Sequence, residues 1–129
     1  MADKTAVRTE AAPAPFQGAP YNQAIIANGL VFTAGQAGLD ESTGQLVGPG
    51  ITEQTEKTFD NLQAILEAAG SSLAKIVKTT VFLQDIGDFT AMNEVYKARI
   101  PAPHPARSTV EAARLPGGAL VEIEAIAEA

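Results

Sequence analysis

Two side chains near the end of this 129-residue chain could do chemistry on a small anionic molecule: Arg107 and Glu122. A guanidinium offers a planar fork that binds a carboxylate through two parallel hydrogen bonds. A glutamate moves protons near neutral pH when burial lifts its pKa. Arg107 sits in Pro105-Ala106-Arg107-Ser108-Thr109-Val110, a β-branched run after a proline that reads as a strand. Glu122 sits in Leu120-Val121-Glu122-Ile123-Glu124-Ala125-Ile126-Ala127. There Val121, Ile123, Ala125 and Ala127 fall on one face, with Glu122, Glu124 and Glu128 on the other. This period-two alternation predicts a half-buried strand. The plainer reading of the same pattern is a sheet edge whose glutamates face water, since charges on strands are usually solvated. If Gly117-Gly118 closes a simple hairpin, Arg107 lies across from roughly Glu128 and about 15–20 Å from Glu122. A site using both residues then needs an irregular connection or contributions from two subunits. The sequence leaves both open.

The elements that must position these residues belong to one domain, 1–129, long enough for a real core. Hydrophobic content of 46% is ordinary for a globular protein. No apolar run approaches the roughly 20 residues that span a bilayer, so no membrane partner is expected. Met1 to Glu10 is polar and lacks the apolar stretch of a signal peptide. The absence of cysteine excludes disulfides, thiolate catalysis and cysteine-ligated metal, and fits a cytoplasmic protein. Fifteen acids against nine bases give a net charge of −6. The bases are scattered, which speaks against a nucleic-acid surface. The single histidine, His104, lies between Pro103 and Pro105 and reads as a loop residue. One histidine builds no histidine metal site, and no carboxylate spacing marks one.

Residues 1–15 read as a loose arm or an early edge strand. Ala19-Pro20 before Tyr21 sets a turn that leaves the tyrosine either packed or pointing into a pocket. Asn28-Gly29 between two apolar runs predicts a hairpin. Gly35, at the end of the second strand, marks a bulge or a close backbone approach. A further short strand is expected between the turns at Gly44 and Gly48. Thr52 to Ala69 carries an apolar stripe of Phe59, Leu62, Ile65 and Leu66, with Thr52 as N-cap and Gly70 as stop. Ile76 to Leu83 reads as a central strand. A second helix runs from an Asp88 cap to about Arg99, with Phe89, Met92, Val95 and Tyr96 as its apolar, core-facing side, before the prolines at 101, 103 and 105. The order β-β-(β)-α-β-α-β-β predicts an α+β mixed sheet with both helices on one face. The other face is expected to carry Val31, Thr79, Val81, Val121 and Ile123, too apolar to stay wet. Sheets from several subunits would cover it.

These segments together resemble the RidA family, also called YjgF, of enamine/imine deaminases. The resemblance runs from about Ala12 to Ala127. It is carried by Ala19-Pro20-Tyr21-Asn22-Gln23-Ala24, Phe32-Thr33-Ala34-Gly35-Gln36, Thr58-Phe59-Asp60-Asn61-Leu62 and Val77-Lys78-Thr79-Thr80-Val81-Phe82-Leu83. It continues through Met92-Asn93-Glu94-Val95-Tyr96, Pro105-Ala106-Arg107-Ser108 and Val121-Glu122-Ile123-Glu124-Ala125-Ile126-Ala127. Membership implies a chorismate-mutase-like fold and a homotrimer with clefts between subunits. It implies hydrolysis of 2-aminoacrylate and 2-iminobutyrate to 2-keto acids and ammonia, without metal or cofactor. These imines arise from pyridoxal-phosphate enzymes and damage them, so the implied role is detoxification.

By the same resemblance Arg107 grips the substrate carboxylate and Glu122 handles the attacking water. Tyr21, Gly35 and Asn93 line the pocket. Two positions depart from the common pattern: Ala34 stands where many members have serine, and Thr109 where several have cysteine. Both are carried as substrate-contacting positions that affect rate or preference. The same fold also serves a second possibility, a metabolite-binding regulatory trimer that senses 2-keto acids. A third is an endoribonuclease or translation inhibitor, which the charge balance disfavours.

Overall fold

The structure is a computed structural model and describes residues 3–129. Seven strands and two helices form it: β1 (Thr5–Val7), β2 (Ala24–Ala27), β3 (Leu30–Thr33), β4 (Gln36–Ala37), α1 (Ile51–Ala68), β5 (Ile76–Leu83), α2 (Phe89–Arg99), β6 (Ala106–Glu111) and β7 (Val121–Glu128). The strands make one mixed sheet in the order β1-β2-β3-β7-β5-β6, with β4 also on β7. Only β5 and β6 run parallel. The α+β class and the two helices on one face are as expected.

Asn28 and Gly29, at φ of 52° and 74°, close the β2–β3 hairpin. Both residues tolerate the positive φ that such a turn demands. The N-terminal segment is an edge strand rather than a loose arm; its first two residues lie outside the described ones. Thr5–Val7 pairs with β2. The buried Gln23 amide then ties the following residues, donating to the carbonyls of Thr9, Ala12 and Pro13 and accepting from the Thr9 N–H.

Beyond β3 the chain crosses a bulge. Phe32 pairs with Ile126 and Gln36 with Ile123, so β3–β4 advances four residues while β7 advances three. The extra residue falls at Ala34-Gly35, where the sequence marks a bulge or close approach. Thr33 Oγ1 accepts from the Ala125 N–H at 3.0 Å and satisfies the donor that the bulge frees. The third strand of the predicted order is therefore Gln36–Ala37. Between the turns at Gly44 and Gly48 there is only an isolated Leu39–Leu46 bridge.

Helix α1 starts one residue earlier than expected. Gly50 is its N-cap, and the Glu53 carboxylate accepts from the Gly50 N–H at 2.7 Å. Thr52 is inside the first turn, because an acid at the third position satisfies the cap N–H from within the helix. Gly70, at φ +81°, ends it as expected, and the Ser71 N–H reaches back to the Leu66 carbonyl. Asp88 precedes α2, but its side chain makes no cap bond. The preceding turn is held instead by Asp85, which accepts from the Gly87 N–H.

The two sheet faces are the reverse of the expected assignment. Val31, Thr79, Val81, Val121 and Ile123 are fully buried in the core with Phe59, Leu62, Ile65 and Leu66 of α1. Alternation identifies two sets but does not say which set meets the helices; here the more apolar set does. The open face carries the other set. Ile25, Phe32, Ile126 and Lys78 lie side by side across it, as do Glu122, Phe82 and Val110. Phe32 is 40% exposed and Val110 45%.

Buried polar groups of α1 hold the loops around this sheet. Asn61 Nδ2 donates to the carbonyls of Ala37 and Leu39, each at 3.0 Å. Gln54 donates to the Gly48 carbonyl and accepts from the Leu120 N–H. Asn61→Ala leaves the Leu39 carbonyl without a donor and the Ala37 carbonyl with only the Leu39 N–H. It is expected to lower unfolding free energy by about 1–3 kcal/mol, measured by urea denaturation.

Candidate functional site

Arg107 and Glu122 do not meet within one chain. Strand β5 lies between β6 and β7: Thr79 pairs with Arg107 and Phe82 with Glu122. Two strand spacings and three residues along the strand put their Cα atoms about 14 Å apart. Their side chains also leave opposite faces, because Thr79 and Phe82 are an odd number of residues apart. The crossover also means that Gly117-Gly118 closes no β6–β7 hairpin; it forms a tight turn, with φ of 70° and 75°, before β7. Each residue has its own surroundings.

Arg107 faces α2. Its Nη1 donates to Asn93 Oδ1 at 2.7 Å. A cavity of about 340 Å³ opens beside it, lined by Asn93, Glu94, Tyr96, Lys97, His104 and Pro105. Among the described residues no carboxylate pairs with Arg107, whereas Arg99 is paired with Glu56 and Asp60, and Lys57 with Glu41. An unpaired guanidinium at a cavity is an anion site in waiting. His104 is the loop residue it was expected to be, but the loop brings it to this cavity. Phe89 and Tyr96 also touch the arginine, and helical periodicity alone showed them only as core.

Glu122 faces the open side, in a cleft of about 80 Å³ that includes Phe16, Tyr21, Gly35, Ala37 and Pro116. Its pKa is raised, first by burial and then by the charge of Glu124 on the same strand face. Gly35 explains how the carboxylate fits: a Cβ there would sit 2.7 Å from Glu122 Oε2 and 2.8 Å from its carboxyl carbon. Tyr21 is 43% exposed, and its hydroxyl accepts from the Phe16 N–H at 2.6 Å, which leaves its own proton free to donate.

The remaining two positions stand at the margins. The Ala34 N–H is committed to the Gln23 carbonyl at 2.8 Å. Thr109 lies on the Arg107 side of β6, and its buried hydroxyl has no partner. The seven expected site residues thus divide. Arg107, Asn93 and Thr109 are on one side; Glu122, Gly35, Tyr21 and Ala34 are on the other.

Larger hollows lie beside the N-terminal arm and the start of α1. Several of their charges are already engaged, Glu41 with Lys57, Asp60 with Arg99 and Glu53 at the helix cap, and the Arg8 and Glu10 of the first hollow stand on an open surface. We assign them no chemistry. Among the described residues no three His, Asp or Glu side chains cluster to hold a metal, and no helix is long and apolar enough to cross a membrane.

With this geometry in view, the chain can be set beside known proteins. The profile of the family described as Endoribonuclease L-PSP matches residues 9–129. The chain belongs to this family, RidA (YjgF). It is 48% identical to Reactive Intermediate Deaminase A, chloroplastic, of Arabidopsis thaliana over 124 residues, covering 96% of this chain and 65% of that protein. It is 43% identical to the 2-iminobutanoate/2-iminopropanoate deaminase of Homo sapiens, covering 90% of this chain and 85% of that one. The crystal structure of RidA from an Antarctic Psychrobacter superposes with a TM-score of 0.92 at 42% identity, covering 97% of this chain and 99% of the other. The relatives include a chloroplastic and a mitochondrial protein, so membership fixes no compartment.

Two outcomes follow from the Glu122 surroundings. A carboxyl whose folded pKa lies above its unfolded value near 4.5 contributes stability below that value and loses it as pH rises through the folded pKa. Glu122→Gln removes this loss. Relative to wild type it should gain melting temperature between about pH 4 and pH 8, measured by thermal scans across that range. Gly35→Ala should fold but push the carboxylate outward, so the Glu122 titration followed by carboxyl NMR moves down toward the ordinary glutamate range.

Proposed function

We propose that this protein is a hydrolytic deaminase of reactive enamine and imine acids, giving 2-keto acids and ammonia. The observation that carries the reading is the pair of uncommitted charged groups: a guanidinium at a cavity with no carboxylate partner among the described residues, and a half-buried carboxylate with a raised pKa. The names of the Arabidopsis and human relatives point to the same chemistry.

In this proposal Arg107 holds the substrate carboxylate by its fork, and Asn93 steadies that fork. Glu122 takes a proton from water as the water oxygen bonds to C2 of the imine. The substrate enters as the iminium, already protonated on nitrogen, so the C=N electron pair goes to nitrogen and a carbinolamine results. Glu122 then gives the water proton to nitrogen. The C–N bond breaks and ammonia leaves, while the hydroxyl oxygen forms the keto C=O and its proton passes to the Glu122 carboxylate. 2-Aminoacrylate enters the same path after protonation at C3. A glutamate with a raised pKa suits both proton transfers near neutral pH. The steps use no metal, cofactor or covalent nucleophile.

Since one chain keeps Arg107 and Glu122 on opposite faces, the working site in this proposal lies between subunits of a homotrimer. The open face supplies the apolar contact: Ile25, Phe32, Phe82, Val110 and Ile126 lie on it. They stand in two rows on either side of Glu124, Thr80 and Ser108, and exposed apolar side chains gathered on one sheet face are what subunit contacts cover. Detoxification of by-products of pyridoxal-phosphate enzymes is the corresponding role.

The decisive experiment couples a threonine dehydratase to keto-acid formation. Arg107→Lys keeps charge but loses the fork, and should cost about ten- to a hundredfold in kcat/KM. Glu122→Gln should lose turnover while still binding 2-ketobutyrate. A protein that only senses 2-keto acids would bind but show no Glu122-dependent turnover. Refolding Arg107→Ala and Glu122→Gln chains together should restore about a quarter of the wild-type rate, since that share of shared clefts receives both intact residues. No recovery in a folded mixed oligomer would defeat the shared site.

A further inference from the structure

Helix α2 turns Phe89, Asn93 and Tyr96 toward β6 at steps of four and three residues, the spacing of one helix face. Arg107 lies against all three. Beyond its bond to Asn93, its guanidinium carbon is 4.7 Å from the Tyr96 ring centroid and 5.4 Å from that of Phe89. Both distances are within the range at which a ring face holds a cation. Tyr96 itself cannot swing. It is buried, its ring meets Phe59 edge-on at 5.6 Å, and its hydroxyl shares a 2.6 Å hydrogen bond with Thr79. Thr79 is the residue in register with Arg107 on the neighbouring strand. The contacts therefore close a loop, from Arg107 to Tyr96 to Thr79 and back to the strand beside Arg107.

We propose that Phe89 and Tyr96 are positioning residues that fix the plane of the Arg107 guanidinium, leaving the edge not given to Asn93 for an incoming carboxylate. The inference rests on the carboxylate-binding role of Arg107 proposed above. An arginine anchored only at Asn93 would sample several planes and lose that freedom on binding. One backed by two ring faces is preorganised and loses less.

The test measures calorimetric binding of 2-ketobutyrate and of its primary amide, with coupled-assay kinetics, on folded wild type, Arg107→Ala, Phe89→Leu and Tyr96→Phe. Phe89 is 39% exposed, so its replacement should leave the fold intact. Phe89→Leu should weaken 2-ketobutyrate binding and raise KM about two- to thirtyfold, with kcat and amide binding changed less than about twofold. Tyr96→Phe keeps the ring face but loses the hydroxyl, so its loss of binding should be smaller than that of Arg107→Ala, and it should melt lower because the Thr79 hydroxyl loses its partner. If Phe89→Leu binds like wild type while Arg107→Ala does not, the positioning role is overturned and the role of Arg107 stands. If Arg107→Ala binds 2-ketobutyrate like wild type, the role of Arg107 fails and the inference falls with it. Equal losses for acid and amide in Phe89→Leu would indicate general distortion and also overturn it.

Discussion

Strand β5, seated between β6 and β7, is the constraint on which the rest depends. It runs parallel to one neighbour and antiparallel to the other. That arrangement puts Arg107 under α2 and Glu122 on the open face. It also buries the apolar set of three central strands beneath α1, which is what makes the sheet stable. Any register slip by one residue would exchange the faces. It would bury Glu122 and Glu124 under the helices and expose Val121 and Ile123. The core thus fixes the site by fixing the register.

Helix α1 supplies the second layer of control. Its core stripe is apolar, yet Gln54, Thr55, Thr58 and Asn61 are buried too. Thr55 and Thr58 bond back to carbonyls one turn earlier. Gln54 and Asn61 instead satisfy loop backbone on either side of the Glu122 cleft. Such bonds add modest net stability, but leaving those groups unpaired would cost more. They specify one path for the loop from Gly35 to Leu39. The Gly35 bulge on that path lets the carboxylate lie directly on backbone.

Local signals were legible in the sequence, and the relations between distant strands were not. Asn28-Gly29 and Gly70 announce a positive φ that few other residues tolerate, Gly35 announces a close approach, and each is found as expected. The α2 span follows from its apolar side and the prolines that stop it, and the central strand from its apolar, β-branched run. Thr52 as cap failed because the helix already begins at Ile51, with Gly50 as cap and the Glu53 carboxylate accepting from its N–H. The expected strand after Gly44 failed because the bulge puts the ladder at Gln36–Ala37 instead. The buried sheet face was misassigned because alternation carries no sign. For the candidate site, residue types singled out Arg107 and Glu122, and the resemblance added their companions. Neither source placed β5 between them, since pairing across the sheet is a long-range property. Phe89 and Tyr96 were read as core because an aromatic at helical spacing looks the same whether it packs on leucine or on a guanidinium.

Separation on two faces has an electrostatic consequence. Were Arg107 and Glu122 side by side in the isolated chain, they would pair. The cation would pull the glutamate pKa down, and the carboxylate would occupy the fork. Both properties that the proposed reaction needs would be lost before substrate arrived. Apart, each keeps its poise: Glu122 is lifted by burial and by Glu124, and Arg107 is held by Asn93 and two aromatic rings. In the proposed trimer the two groups approach only across a cleft, where a bound substrate carboxylate would occupy the arginine. The substrate anion would then stand between cation and base, and the glutamate would retain its raised pKa at the point of proton transfer. A fold that kept both residues on one face would need a further device to stop them neutralising one another; placing β5 between them removes that need.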